Sequence, residues 1–159
     1  MKIKNRERLI SSGDIEARKV VLEVLETTLQ SLDAYHVIRS LLALEGDYLR
    51  IGKHRWDLER KHRIFVIGAG KACNAMAKAV EEKMGDRITQ GLVIVKQVDP
   101  GEHLKQIELA VGGHPIPNEE GLHASKRILK MVEQATSDDL FIGLISGGSS
   151  ALMSCPTPG

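Results

Sequence analysis

Apolar residues recur at three- and four-residue intervals between Ser12 and Leu32 (Ile15, Val21, Leu22, Leu25, Leu29 and Leu32), which predicts an amphipathic helix. Ser11 or Ser12 stands where such a helix is capped. Asp33 is placed to cap a second helix, with Val37, Ile38, Leu41 and Leu42 on its inner side and an end near Gly46. Residues 12–46 therefore read as a helical hairpin. Between Asp47 and Leu58 the pattern shortens to two extended segments, Tyr48-Leu49-Arg50-Ile51 and Trp56-Asp57-Leu58, around the polar turn Gly52-Lys53-His54.

The period then changes. Arg63-Ile64-Phe65-Val66-Ile67 is a continuous β-branched and aromatic run, as expected of a strand buried on both faces. The Ala-, Lys- and Glu-rich stretch from Ala72 to Met84 predicts a helix, and Gly91 to Val95 and Ile107 to Val111 predict two more strands. A Gly/Pro loop from Gly112 to Gly121 leads to a helix near Leu122 to Gln134, and Leu140 to Ile145 is a fourth strand. Strands that alternate with helices force right-handed crossovers and a mainly parallel sheet. The class is α/β, doubly wound and Rossmann-like, preceded by the helical hairpin. The fourth strand runs into Ser146-Gly147-Gly148-Ser149-Ser150-Ala151-Leu152-Met153, which opens another helix. Sheets of this type continue for further strands, so residues 63–159 read as the first part of a larger domain.

Composition narrows the possibilities. The chain has 159 residues, 42% of them hydrophobic and 27% charged, enough for one packed domain. A net charge of +1 supplies no excess positive field for a polyanion, and five aromatic residues make no base-stacking platform, so nucleic-acid binding is not expected. The N-terminus is charged and leads into no signal-peptide core. The longest apolar runs, Ile64 to Gly70 and Leu140 to Ile145, fall far short of the roughly 18–20 residues that span a bilayer, so a soluble protein is expected, and its two cysteines, with no disulfide scaffold, fit a reducing cytoplasm. Cys73 and Cys155 have no metal spacing and read as free thiols, and no two of the six histidines stand at ligand spacing beside a carboxylate. No protein metal site is expected in this segment. The basic runs Lys53-His54-Arg55 and Arg60-Lys61-His62-Arg63 read as solvated surface.

In open α/β sheets ligands bind beyond the carboxyl ends of the strands, and three segments reach that edge. Gly68-Ala69-Gly70-Lys71-Ala72-Cys73 pairs glycines, where a backbone can approach a ligand, with a lysine at the first helical turn, a combination that suits an anion. It is a poor dinucleotide fingerprint, since Cys73 holds the third glycine position and the next strand ends in Val95-Lys96 without an acid. Nor is it a Walker motif, because Ala72 follows the lysine. Its plain structural reading is a tight strand-to-helix turn with a solvated lysine. In the second segment, Gly112 to Gly121, two prolines stiffen the loop around His114, and Asn118 can cap the next helix. Histidine can act as acid, base or donor there, although a loop histidine bonded to backbone is the commoner case. In the third, Ser146, Gly147, Gly148, Ser149 and Ser150 can turn successive N–H groups inward as a nest for phosphate or carboxylate. The glycine spacing of a nucleophile elbow is absent.

These three segments resemble the bacterial and archaeal glycerate 2-kinase family, whose longer members carry a C-terminal MOFRL domain and are often labelled hydroxypyruvate reductase. The resemblance rests on Val66-Ile67-Gly68-Ala69-Gly70-Lys71-Ala72 with Met76-Ala77, on Gly113-His114-Pro115-Ile116-Pro117-Asn118 with Gly121, and on Leu144-Ile145-Ser146-Gly147-Gly148-Ser149-Ser150-Ala151-Leu152. Leu44-Glu45-Gly46-Asp47 is similar as well. The resemblance implies ATP-dependent phosphorylation of D-glycerate at its 2-hydroxyl, with Mg2+, in a cleft between a Rossmann-like domain and a smaller C-terminal domain. It makes Lys71 the counterpart of the family's active-site lysine and Ser146 to Ser150 that of its glycine/serine anion loop, with Gly68, Gly70 and His114 shaping the pocket. The family has three consecutive glycines after the loop serine, whereas Ser149 holds the third place here, where a left-handed backbone would be strained. The MOFRL domain is missing from this stretch, so the fragment is expected to be inactive alone. Two other readings are an NAD(P)-dependent hydroxypyruvate reductase and a non-catalytic α/β binding or assembly module, a homo-oligomer included, for which an unfinished sheet edge is suited.

Overall fold

The computed structural model describes residues 3–157. A short helix, α1 (Arg6–Leu9), precedes α2 (Ile15–Ser31) and α3 (Ala34–Leu41). The cap of α2 is Asp14, whose carboxylate accepts from the Ala17 N–H at 3.0 Å, and not Ser11 or Ser12; the Ser11 hydroxyl donates instead to the Arg8 carbonyl. Asp33 caps α3 as its sequence position predicts, accepting from the His36 N–H at 3.1 Å.

The second helix of the expected hairpin is shorter than its pattern predicts. It stops at Leu41, and Leu42–Glu45 is a strand, β1, paired antiparallel with β2 (Tyr48–Ile51), which pairs in turn with β3 (His54–Asp57). His54 thus belongs to a strand and pairs with Ile51 across a two-residue turn. The run Leu41-Leu42-Ala43-Leu44 fits either period, and the decision falls to the partner strand: as a strand it buries Leu42 beside Leu49, which is wholly buried.

The α/β portion follows the predicted order: β4 (Ile64–Ala69), α4 (Cys73–Met84), β5 (Gln90–Val95), β6 (Ile107–Val111), α5 (Glu119–Glu133), β7 (Leu140–Ile145) and the short α6 (Ser149–Leu152). All four strands are parallel in the order β6-β5-β4-β7. Two cores sandwich the sheet. Val66, Val93, Val95, Ile142 and Leu144 pack with Ala77, Val80 and Met84 of α4 and with Leu42 and Leu49 of the small sheet. Leu92, Ile94 and Ala69 pack with Ala124 and Ile128 of α5 and Leu152 of α6. At about 1.5–3 kcal/mol for each fully buried aliphatic side chain, these clusters are the main driving force for the arrangement.

The order also locates a ligand crevice. From β4 the chain moves outward to β5 and β6, then crosses back to place β7 on the other side of β4. The direction of winding therefore reverses between β4 and β7, and in open sheets the crevice lies beyond the carboxyl ends of the two strands at that reversal. The register pairs Ala69 with Ile145, so the loops after both strands start side by side. The outer edge of β7 has no strand partner among the described residues, and Gly143 and Ile145 lie exposed on it. Among the described residues no helix is long and apolar enough to cross a membrane.

Candidate active site

Beyond the carboxyl ends of β4 and β7 the three loops meet. Gly70 closes β4 with its N–H bonded to the Ile94 carbonyl, and the chain turns at once into α4. The Lys71 N–H donates to the Gly147 carbonyl at 3.1 Å, and the Ala72 N–H donates to the Ser146 hydroxyl at 3.0 Å. The Ser146 N–H reaches back to the Ala69 carbonyl at 3.2 Å. Three hydrogen bonds thus lace the first glycine loop to the third.

The glycines serve this lacing directly. The missing side chain of Gly68 leaves its room to the Leu144 carbonyl in the neighbouring strand, and that of Gly70 to the Ser146 hydroxyl. The backbone approach these residues allow is an approach to β7 and its loop. Gly148 has a φ of 94°, the left-handed turn that launches α6. A Cβ there would stand 2.8 Å from the His114 ring and 3.5 Å from Lys71 Cγ, so Gly148, His114 and Lys71 are immediate neighbours. The strain expected at Ser149 does not arise. Ser149 is the first residue of α6, no residue other than glycine has a positive φ among the described residues, and the left-handed position is Gly148.

The chemistry on offer is cationic and donor-rich. The Lys71 side chain is exposed and forms no ion pair among the described residues. The N–H groups of Gly147, Gly148 and Ser150 have no acceptor among the described residues, and Gly147 and Ser150 are exposed. The Lys71 side chain packs against Gly147 and Gly148, and an ammonium near their unpaired amides suits a phosphate or carboxylate oxygen. His114 lies half-buried against this loop, its Nδ1 buried without a hydrogen-bond partner among the described residues.

Other residues around the site had only faint sequence signals. Asn118 caps α5 as predicted, yet its carboxamide oxygen accepts twice, from the Gly121 N–H at 3.0 Å and the Gly113 N–H at 2.6 Å, so it also fixes the loop that carries His114. Cys73 is wholly buried, its Sγ 3.3 Å from the Leu144 carbonyl and 3.5 Å from the Ser146 hydroxyl. Burial pushes its thiol pKa up, against a smaller opposing effect of the Ser146 hydrogen bonds. Val95-Lys96 brings no acid to the end of β5, but Asp99, at a turn a few residues on, accepts from the buried Asn74 carboxamide at 2.9 Å. Among the described residues no three His, Cys, Asp or Glu side chains converge as a metal site.

Comparison with known proteins places this arrangement. Residues 20–159 match the family described as a domain of unknown function, DUF4147. The glycerate 2-kinase of Pyrococcus horikoshii is 30% identical over 146 residues, covering 91% of this chain and 32% of that protein. A putative hydroxypyruvate reductase of Agrobacterium vitis is 32% identical over 149 residues, covering 91% of this chain and 30% of that protein. The crystal structure of a glycerate kinase from Thermotoga maritima superposes with a TM-score of 0.70 at 25% identity, covering 89% of this chain and 31% of that one. The chain spans about a third of the length of these relatives. The chain belongs to the DUF4147 family, and its relatives include glycerate kinases.

Proposed function

We propose that these residues form the N-terminal portion of an ATP-dependent glycerate 2-kinase of the cytoplasm, which converts D-glycerate and ATP to 2-phosphoglycerate and ADP. Residues 12–46 and 63–159 would then belong to its Rossmann-like domain, and a C-terminal MOFRL domain would close the cleft. The observation that carries this reading is the Lys71 side chain, without an ion pair among the described residues, packed against Gly147 and Gly148, whose amides have no acceptor among those residues, at the reversal between β4 and β7.

In the reaction the 2-hydroxyl oxygen of glycerate bonds to the γ-phosphorus, the bond to the bridging oxygen breaks, and the hydroxyl proton passes to a base. The demand on the protein is positioning and neutralisation of charge on the transferring group. Lys71 and the loop amides would meet that demand on a phosphate oxygen or on the glycerate carboxylate. Mg2+ bound to the nucleotide phosphates would supply further neutralisation. His114 would hold the loop shape through its contact with Gly148.

The reductase reading has less to stand on. A dinucleotide pyrophosphate comes close to the backbone at the second glycine of its loop, and at Gly70 that place is filled by Ser146. The deciding experiment is a coupled assay, on the protein from its complete gene, for 2-phosphoglycerate formed from ATP and D-glycerate, beside NADH and NADPH oxidation with hydroxypyruvate. Phosphorylation without reduction supports the proposal; reduction without phosphorylation overturns it. Residues 1–159 alone should not turn over.

A further inference from the structure

We propose that Ser146 is a positioning residue and not a ligand for the anion: its hydroxyl caps α4 from another element and so fixes where Lys71 stands. The inference rests on the kinase reading. A helix start leaves several N–H groups without intrahelical partners, and a side-chain oxygen at the N-cap position ordinarily satisfies one of them. The N-cap residue of α4 is Ala72, which has no side-chain oxygen, and no side chain of its own element takes that part. The Ser146 hydroxyl, in the loop after the neighbouring strand, instead accepts from the N–H of the N-cap residue itself, Ala72, at 3.0 Å, the part that an N3 side chain plays in a capping box.

The surroundings hold the hydroxyl there. Gly70 makes room for it, the Ser146 N–H is tied to the Ala69 carbonyl, and the Cys73 thiol stands 3.5 Å from Oγ on the inner side. Lys71 is the residue between the two anchored ones, Gly70 and Ala72, and its own N–H is held by Gly147. Loss of the cap frees the turn that carries the lysine. An ammonium misplaced by an ångström forfeits stabilisation of the transition state while the ground-state complex, held by the other donors, changes little. The division of labour in the third loop follows: Ser146 faces the protein, while the amides of Gly147, Gly148 and Ser150 and the Ser149 and Ser150 hydroxyls remain for the anion.

The test compares Ser146→Ala, Ser146→Thr and Ser150→Ala in the protein from its complete gene, with steady-state kinetics and amide hydrogen exchange. Ser146→Ala is expected to lower kcat on the order of 10-fold, to leave KM for ATP and D-glycerate within about two-fold, and to speed exchange at Ala72. Ser146→Thr, which keeps the hydroxyl, restores both, and Ser150→Ala raises KM. If Ser146→Ala does not fold, Ser146→Cys, a weaker acceptor in the same place, gives intermediate kcat and exchange. A raised KM with kcat retained makes Ser146 a ligand contact and overturns the proposal, as does unchanged exchange at Ala72. If the wild type forms no 2-phosphoglycerate, the kinase reading falls, while exchange at Ala72 still decides whether the cap exists.

Discussion

Ser146 Oγ occupies the space that a side chain on Gly70 would need. Gly70 also has a φ of 147°, a region that L side chains rarely adopt. Gly70→Ala therefore combines overlap with backbone strain. It is expected to destabilise the protein by about 3 kcal/mol or more, read as a lower urea midpoint. An alanine tolerated within about 0.5 kcal/mol would mean that the two loops are not in contact.

The proposed kinase reading gives Lys71 a part in the chemistry, and its exposed side chain, free of ion pairs among the described residues, contributes little stability. Lys71→Ala should reduce formation of 2-phosphoglycerate about 100- to 1,000-fold, with the unfolding free energy unchanged within about 0.5 kcal/mol. Retained turnover in the coupled assay would remove Lys71 from the chemistry.

Glu81 on α4 holds the entry to β6, its carboxylate accepting from three successive N–H groups: Lys105 at 2.6 Å, Gln106 at 2.8 Å and Ile107 at 2.9 Å. Glu81→Ala leaves these donors without their acceptor. We expect a loss of about 1.5–3 kcal/mol in chemical denaturation, and faster amide exchange at Gln106 and Ile107.

Arg63 and Asp139 tie the start of β4 to the start of β7, with Nη2 to Oδ2 at 2.7 Å and Nε to Oδ1 at 3.0 Å. The Asp139 side chain is fully buried, and the Arg63 guanidinium, followed by the Thr136 N–H, holds its carboxyl well below the usual carboxylate range. The folded value lies below the unfolded one, so the ionised group stabilises the protein above its unfolded pKa of about 3.9, and this contribution is lost as pH falls below that toward the folded value. The Tm difference between wild type and Asp139→Asn should be constant near neutrality and narrow below about pH 4. A difference that widens in acid would contradict the pairing.

Most of the α/β portion was legible because each element has one reading. Ile64 to Ile67 is apolar on both sides and bounded by glycine, which only a central strand accommodates, and β6 and β7 fall at their predicted bounds. The N-terminal part was less legible because its information is nonlocal: whether Leu42 to Glu45 continues α3 or pairs as β1 is decided by Leu49 and Ile51 on the partner strand. At the site, the residue types and their arrival at one edge could be read from the chain. What each contacts could not, since the glycines that suggest approach to a ligand are filled by Leu144 and Ser146, far along the sequence.

The position of β4 between β5 and β7 has a consequence for synthesis. The Ala72 N–H and the Ser146 hydroxyl that it meets are 74 residues apart, and the loop that carries His114 lies between them in the chain. During translation α4, β5, β6 and α5 can assemble on one side of β4 while its other edge stays bare. Contacts of such long sequence range form late and slowly, and a hydrophobic strand edge left open meanwhile favours association with other chains. The loop after β7 therefore emerges from the ribosome after the two loops it meets, and the same stretch of chain that laces them together also shields the central strand.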